Sequence, residues 1–139
     1  MPDGNQKAQK PGMRQRLLAP ETSPPSVFVD PAGMPWETSA FPGIQSKTLY
    51  SDPSGMCTLL LKMEPGAKVP LHEHTAIEQT YVLEGRFMDE EGESLPGQFV
   101  WRPEGNTHVA WAGPEGALVI GVFLRPNIFA AGQKFFTQD

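Results

Sequence analysis

Proline and glycine recur along this chain at intervals too short for long helices. Of 139 residues, 14 are glycine and 15 are proline, well above a combined average of roughly 12%. Proline lacks a backbone N–H and glycine loses the most freedom on ordering, so both disfavour helix interiors. Because 39% of the residues are still hydrophobic, the chain can build a core, and wholesale disorder is disfavoured. We therefore predict an all-β protein.

Short apolar runs follow one another from residue 26 onward, with turn residues between them. Pairs such as Pro65-Gly66 and Pro96-Gly97 suit type I and II turns, because proline presets φ and glycine accepts a positive φ. Strands that recur about every 8–12 residues are typical of an antiparallel sandwich or barrel. The predicted strands cover residues 27–29, 45–51, 56–63, 67–74, 78–84, 86–89, 98–102, 108–112 and 117–124.

The first 25 residues differ in character from the rest of the chain. They carry five prolines and show neither helical nor strand periodicity, which favours an extended arm. We predict an N-terminal arm over residues 1–25 and one β-barrel domain over residues 26–139, a length that suits a single domain.

Charge and cysteine content restrict the partners and the compartment. The net charge is −5, and the basic cluster Lys7, Lys10, Arg14 and Arg16 lies in the arm without aromatic residues, so we expect no nucleic-acid partner. A single cysteine, Cys57, permits no internal disulfide and fits a reducing compartment. No apolar run approaches the roughly 18 residues of a membrane span. We expect a cytoplasmic protein that does not bind membranes.

Several predicted strands are apolar on both faces. Residues 59–61 are all leucine, and residues 118–120 are Leu-Val-Ile. One face of such a strand can pack into a barrel, and the other face then needs a cover. A second subunit would supply it, so we predict a homodimer; a monomer covered by its own arm is the alternative.

The three histidines of the chain point to a metal site. His72 and His74 are two residues apart on a predicted strand, so their side chains share a face. Glu78 follows at an even offset, and antiparallel pairing can bring His108 opposite the first two. Three neutral imidazoles and one carboxylate suit a divalent transition metal. We predict His72, His74, Glu78 and His108 as its ligands.

Two motifs resemble those of the cupin superfamily. The first is Gly66-x5-His72-x-His74-x3-Glu78-x6-Gly85, and the second is Gly97-x5-Pro103-x-Gly105-x2-His108. The resemblance implies the cupin double-stranded β-helix, a small antiparallel jelly-roll barrel, with His72, His74, Glu78 and His108 on the metal. One position departs from the pattern, because Ala112 stands where the second motif usually ends in asparagine.

Within the cupins, residues 83–92 together with Pro96-Gly97 and Arg102-Pro103 are similar to ChrR-like cupins and to small dioxygenases that cleave diketones and hydroxyketones. ChrR-like anti-sigma factors also carry an N-terminal zinc-binding helical domain. This chain has no histidine or cysteine before Cys57, so only the cupin half of such a protein matches, and we expect no anti-sigma role.

These observations predict a non-haem dioxygenase that acts on a small chelating carbonyl compound. Fe(II) is the favoured metal, and Zn, Mn and Ni also suit the ligands. A metal-dependent isomerase or hydrolase is an alternative, although Glu84, Asp89, Glu90 and Glu91 lie near hairpin turns, a poor place for a general base. A non-catalytic metal or small-molecule sensor is another. The predicted walls of the substrate pocket are Leu60, Val82, Val100, Ala110 and Phe123.

Overall fold

The computed structural model describes residues 23–130 and 134–135. Of the predicted arm, only residues 23–25 fall within this range, and the remainder of the prediction lies outside the described residues. Within this part of the chain, no helix is both long and apolar enough to cross a membrane.

The described chain is an all-β structure. A 3-10 turn at Pro31–Gly33, which Asp30 caps by accepting from the Ala32 N–H, precedes the strands. The strands are β1 (Glu37–Thr38), β2 (Ile44–Ser51), β3 (Cys57–Met63), β4 (Lys68–Glu73), β5 (Glu78–Asp89), β6 (Glu93–Ser94), β7 (Phe99–Arg102), β8 (Thr107–Phe123), β9 (Asn127–Phe129) and β10 (Lys134–Phe135).

Strand β8 organises the curled antiparallel sheet. Its C-terminal half pairs with β3 on one side and with the first part of β5 on the other. Its N-terminal half pairs with β4 and with the last residues of β5. One long strand therefore joins both halves of a jelly-roll barrel, the cupin architecture that the motifs predict.

Two β-bulges determine which side chains face the barrel interior. On β4, Val69 pairs with Ala110 and His72 pairs with His108, so the two residues of β4 between these pairs stand opposite one residue of β8. Val69 and His72 consequently both point inward despite their odd spacing. On β5 the register shifts between Val82 and Glu84, and the buried positions change from Val82 and other even-numbered residues to odd-numbered ones.

The core lies on the inner side of this sheet. Val82 and Val119 are almost fully buried and pair directly across β5 and β8. They belong to the larger of two apolar clusters, which consists of Phe41, Ile44, Leu61, Met63, Val69, Val82, Phe87, Ala110, Ala112, Ala117, Val119 and Phe129. The smaller cluster is formed by Cys57, Leu59 and Phe123. It lies beside Glu78, which is the cross-strand partner of Phe123.

The predicted strands correspond closely to the observed ones, although the short strands β1, β6, β9 and β10 lie outside them. Residues 78–84 and 86–89 form one continuous strand, and residues 108–112 and 117–123 form another. The predicted strand at residues 27–29 is wrong, because this apolar segment pairs with none of the described strands and Phe28 is 95% exposed. Its β-favouring composition alone could not supply a neighbour for pairing.

Replacing Gly85 by alanine is expected to destabilise the fold by at least about 2 kcal/mol. Gly85 has a φ of 72°, and an added Cβ would lie 2.1 Å from the carbonyl oxygen of Gly116 on β8. Urea unfolding measures the effect. Gly92→Ala, in the turn between β5 and β6, is the matched control, because no described atom lies within 4 Å of its Cβ position. Equal stability of the two variants would contradict the close approach of Gly85 to Gly116.

Candidate metal centre

Three imidazole rings meet inside the barrel at the end of β4. His72 and His108 are cross-strand partners on β4 and β8. His74 directly follows β4, and the turn of the second motif holds it there: its N–H donates to the Asn106 carbonyl, and its carbonyl accepts from Gly105. The ring centroids are 4.5 to 4.9 Å apart, and all three side chains are buried.

The partners of the Nδ1 atoms define how two of these rings are protonated. His72 Nδ1 lies 2.7 Å from the Pro70 carbonyl oxygen, and His108 Nδ1 lies 3.0 Å from Oδ2 of Asp89. A carbonyl and an ionised carboxylate only accept, so we assign the ring proton to Nδ1 in both cases. The Nε2 atoms of His72 and His108 then carry lone pairs.

Glu78 stands behind His74 rather than among the three rings. Its Oε2 lies 2.5 Å from Nδ1 of His74, and Thr80 donates to its Oε1 at 3.3 Å. In the described part of the chain neither Nδ1 of His74 nor Oε2 of Glu78 makes a well-formed hydrogen bond, although the two atoms are in close contact. The ligand role of Glu78 stays a prediction.

Burial keeps the imidazoles of His72 and His108 neutral. Loss of solvation, reinforced by the neighbouring His108 and His74, lowers the pKa of His72 to about 4. Burial and then the Arg102 guanidinium lower the pKa of His108 as well. Metal ligation requires neutral imidazole, so the barrel holds these two rings in the form that can bind.

The arrangement of ring nitrogens fits a divalent transition metal. Nε2 of His74 and Nε2 of His108 are 2.9 Å apart. Two nitrogens bound to one ion at about 2.1 Å and about 90° would be about 3.0 Å apart. A proton can join two of these nitrogens, whereas a cation can join all three lone pairs that converge here. His72, His74 and His108 have ligand atoms mutually close enough to share one ion.

Asp89 lies beside a hairpin turn, as predicted, and it also belongs to the site. It is buried, contacts His108, and forms an ion pair with the buried Arg102 on β7. Burial acts to raise its pKa, but Arg102, the backbone N–H groups of Glu91 and Gly92, and His108 outweigh burial and lower it. The bulge between Val82 and Glu84 turns Asp89 inward, and strand parity counted from Val82 could not reveal it. Glu84, Glu90 and Glu91 are exposed.

Four of the five predicted pocket residues face the interior. Val82 and Ala110 lie in the main core cluster, and Phe123 lies in the smaller cluster beside Glu78. Val100 is half-buried on the same side of β7 as Arg102 and opposite the buried Thr80. These positions present apolar side chains to the barrel interior.

Leu60 requires a correction. The buried positions of β3 are its odd-numbered residues, beginning with Cys57 and including Leu59 and Leu61. Leu60 therefore points to the outer face of the sheet, because side chains alternate along a strand. A run of three leucines carries no alternation of its own, so the sequence could not indicate which of them faces inward.

Sequence reasoning also missed the residue that supports His72. Phe129 on β9 packs on the His72 ring with centroids 5.1 Å apart, and Phe41 packs on Phe129 in turn at 5.2 Å. Phe129 and His72 are cross-strand partners. The contact depends on pairing between distant strands, which the local sequence does not encode.

A jelly-roll barrel with three inward histidines supplied by these two motifs defines a cupin. More narrowly, the ChrR cupin-like domain family matches residues 24–127, about three quarters of the chain, and the chain belongs to that family. No curated protein matches the sequence.

Solved structures with this fold include proteins of different function. A candidate acetylacetone dioxygenase from Methylibium petroleiphilum PM1 has TM-score 0.71 and 18% identity, with 81% of this chain and 88% of that chain covered. An acetylacetone dioxygenase from Acinetobacter johnsonii has TM-score 0.65 and 18% identity, covering 81% and 83%. The anti-sigma ChrR of Rhodobacter sphaeroides, solved in complex with SigE, has TM-score 0.60 and 20% identity, covering 79% and 74%. These likenesses show the shared fold.

The metal-free protein is expected to lose stability as the pH falls from about 6.5 to about 4. A histidine with its ordinary pKa of 6.5 binds a proton in the unfolded chain, whereas His72 in the folded barrel does so only at about 4. The unfolded state therefore binds more protons in this window, and the free energy of unfolding decreases on acidification, by about 3 kcal/mol in the limit.

Urea unfolding across this pH range, in the presence of a chelator, measures the effect. Carboxylates titrate in the same window, so the informative quantity is the difference between the wild type and His72→Gln, which lacks the titrating ring. The wild type should lose more stability on acidification than the variant. The same pH dependence in both proteins would contradict the lowered pKa of His72.

Proposed function

We propose that this protein is a mononuclear Fe(II)-dependent dioxygenase that acts on a small chelating carbonyl compound such as a diketone or hydroxyketone. The observation that carries the proposal is the convergence of buried histidine Nε2 atoms, with the Nδ1 atoms of His72 and His108 held by oxygen acceptors. The site provides nitrogen ligands at a right-angled spacing and leaves room in the coordination shell.

A ferrous ion bound at this site would supply the reactivity toward O₂ that dioxygenases use. The chain's own residues would bind this ion and shield the reacting groups from water. His72, His74 and His108 would hold the ion, and the predicted fourth ligand is Glu78, whose Oε2 lies 2.5 Å from Nδ1 of His74. Val82, Ala110 and Phe123 exclude water from the reacting groups and present an apolar wall to the substrate.

Two further features favour a dioxygenase over an isomerase or hydrolase. Asp89 is the buried carboxylate beside His108, and it is engaged by Arg102 and by backbone N–H groups, so it is not free to act as a general base. The acetylacetone dioxygenases with a similar fold act on a diketone by name, which is the substrate class we propose.

A sensor function is the second candidate, and membership of the ChrR cupin-like family favours it. A sensor would bind metal at the same histidines, and a protein partner, as SigE is for ChrR, would receive the signal. Turnover separates the two candidates, because only the dioxygenase consumes O₂ with an organic substrate.

The test is O₂ consumption by the Fe(II)-loaded protein with acetylacetone and with α-hydroxyketones, combined with measurement of bound metal. The wild type is expected to bind one Fe(II) and to consume O₂ in proportion to substrate. His108→Ala should lose most of the metal and all of the uptake. Glu78→Gln should retain metal with an affinity about 10–100-fold lower if Glu78 acts behind His74, and lose it if Glu78 is a ligand.

Matched controls make the outcome decisive. Glu84→Gln alters an exposed carboxylate on the same strand as Glu78 and should change neither metal content nor uptake. Stoichiometric Zn in the protein as isolated, with no O₂ uptake by the Fe(II)-loaded form, would overturn the dioxygenase and support the sensor. Stoichiometric metal in a His72→Ala/His74→Ala double variant would overturn the metal site itself.

We also propose that the chain forms a homodimer through the outer face of β5 and β7. Tyr81 pairs with Phe99, and Gln79 pairs with Trp101, on the side opposite the barrel interior. Phe99 and Trp101 are 53% and 58% exposed, and Tyr81 and Leu83 extend the same face. β7 is an edge strand that pairs with β5 alone in the described residues. A large apolar patch on an edge of this kind is typical of a subunit interface.

Light scattering coupled to size-exclusion chromatography tests the dimer. The wild type is expected to run at twice the chain mass, and Trp101→Glu is expected to run as a monomer. Ile128→Glu is the matched control, because Ile128 on β9 is equally exposed, at 57%, but lies outside this face. A monomeric wild type, or a dimer that both variants leave intact, would contradict the proposed interface.

A further inference from the structure

A buried ion pair lies directly against one of the three histidines. Oδ2 of Asp89 contacts both Nδ1 of His108, at 3.0 Å, and Nη1 of Arg102. The side chains of Asp89 and Arg102 are only 3% and 7% exposed. Neither residue is one of the defined positions of the two cupin motifs, and neither is a predicted metal ligand.

The position of Asp89 does not depend on Arg102 alone. Its second oxygen, Oδ1, accepts from the backbone N–H groups of Glu91 at 2.8 Å and Gly92 at 3.0 Å. These two bonds tie the carboxylate to the hairpin that follows β5. Loss of the Arg102 charge would therefore leave Asp89 in place against His108, whereas loss of the Asp89 charge would leave Arg102 unpaired beside the ring.

We propose that Asp89 is a positioning residue that keeps the ring proton of His108 on Nδ1 and directs its Nε2 lone pair to the point shared with His72 and His74. Arg102 offsets the negative charge that Asp89 brings to the site. The inference rests on the proposed metal site, and it assigns the two partners of one ion pair opposite effects on metal affinity.

The opposite signs follow from charge and hydrogen bonding. An ionised carboxylate accepts from Nδ1–H, makes the imidazole a better donor to a cation, and adds attraction for that cation. A guanidinium beside the same ring repels a cation, and burial weakens the screening of that repulsion. An ion pair that merely supported the fold would behave differently, because removal of either partner would then lower metal affinity only as far as it loosens the barrel.

The experiment compares Asp89→Asn with Arg102→Gln by chelator competition for Zn(II) and Co(II). Asp89→Asn is expected to weaken binding by about 10–100-fold. Arg102→Gln is expected to bind as tightly as the wild type or more tightly, although it loses folding stability. Equal weakening in both variants, or undiminished binding by Asp89→Asn, would overturn the assignment.

A matched pair of control variants lies on the same hairpin. Arg86 and Glu93 form an exposed ion pair with N and O 3.5 Å apart, and their side chains are 46% and 43% exposed. Arg86→Gln and Glu93→Gln remove the same charges at the surface, and neither should change metal affinity. A change as large as that of Asp89→Asn would show that net charge alone explains the effect and would overturn the positioning role.

A second measurement separates this inference from the metal site. In the metal-free protein, ¹⁵N NMR of the histidine rings reports which nitrogen carries the proton. The wild type should hold His108 as the Nδ1–H tautomer, and Asp89→Asn should populate both tautomers. A wild type that shows this tautomer but binds no metal would overturn the proposed function alone, and an unchanged tautomer in Asp89→Asn would overturn the positioning role alone.

The double variant Asp89→Asn/Arg102→Gln covers the case in which Asp89→Asn fails to fold. It leaves no unpaired buried charge, which is the main cost of removing one partner. If it folds and still binds metal more weakly than Arg102→Gln, with a mixed His108 tautomer, the positioning role holds. Recovery of the Arg102→Gln affinity in the double variant would overturn it.

Discussion

Two imidazole nitrogens that face one another at 2.9 Å need a proton or a cation between them, and the interior of this barrel is built around such an arrangement. The oxygen acceptors behind His72 and His108 fix the ring protons of these two residues away from the shared point. Burial depresses the pKa of both rings, so His72 and His108 stay neutral at neutral pH. A proton can join two of the three nitrogens that meet here, whereas one bound cation would join all three.

Two irregularities of the strands create this arrangement. A regular β4 would place Val69 and His72 on opposite faces, and a regular β5 would turn Asp89 toward solvent when Val82 is buried. The bulge on β4 and the bulge between Val82 and Glu84 on β5 reverse these parities. Bulges commonly re-aim side chains next to functional sites. Here one bulge aims a ring that faces the site, and the other aims the carboxylate that stands behind a second ring.

The sequence predicted the all-β barrel, most strand positions and the meeting of the three histidines, because each depended on local periodicity, turn residues and motif spacing. Prediction from the sequence failed where pairing between distant strands determines which side chains face inward. Leu60 lies in a leucine run whose inward members are set by pairing of β3 with its neighbours. Asp89 is buried because of a bulge between Val82 and Glu84, and Phe129 reaches His72 from a strand more than fifty residues away. The segment at residues 27–29 has strand composition but pairs with none of the described strands.

The length of β8 ties the site to the whole molecule. The same strand carries His108, pairs with β3, β4 and β5, and contributes Val119 and Phe123 to both apolar clusters. His108 lies at the end of β8 that pairs with β4, so the ring arrangement persists only while His72 and His108 stay paired across these two strands. Local opening of the β4–β8 pair and loss of the three-ring arrangement are in this sense one event, and a ligand that binds the folded state would oppose it, as amide exchange at this end of β8 would report.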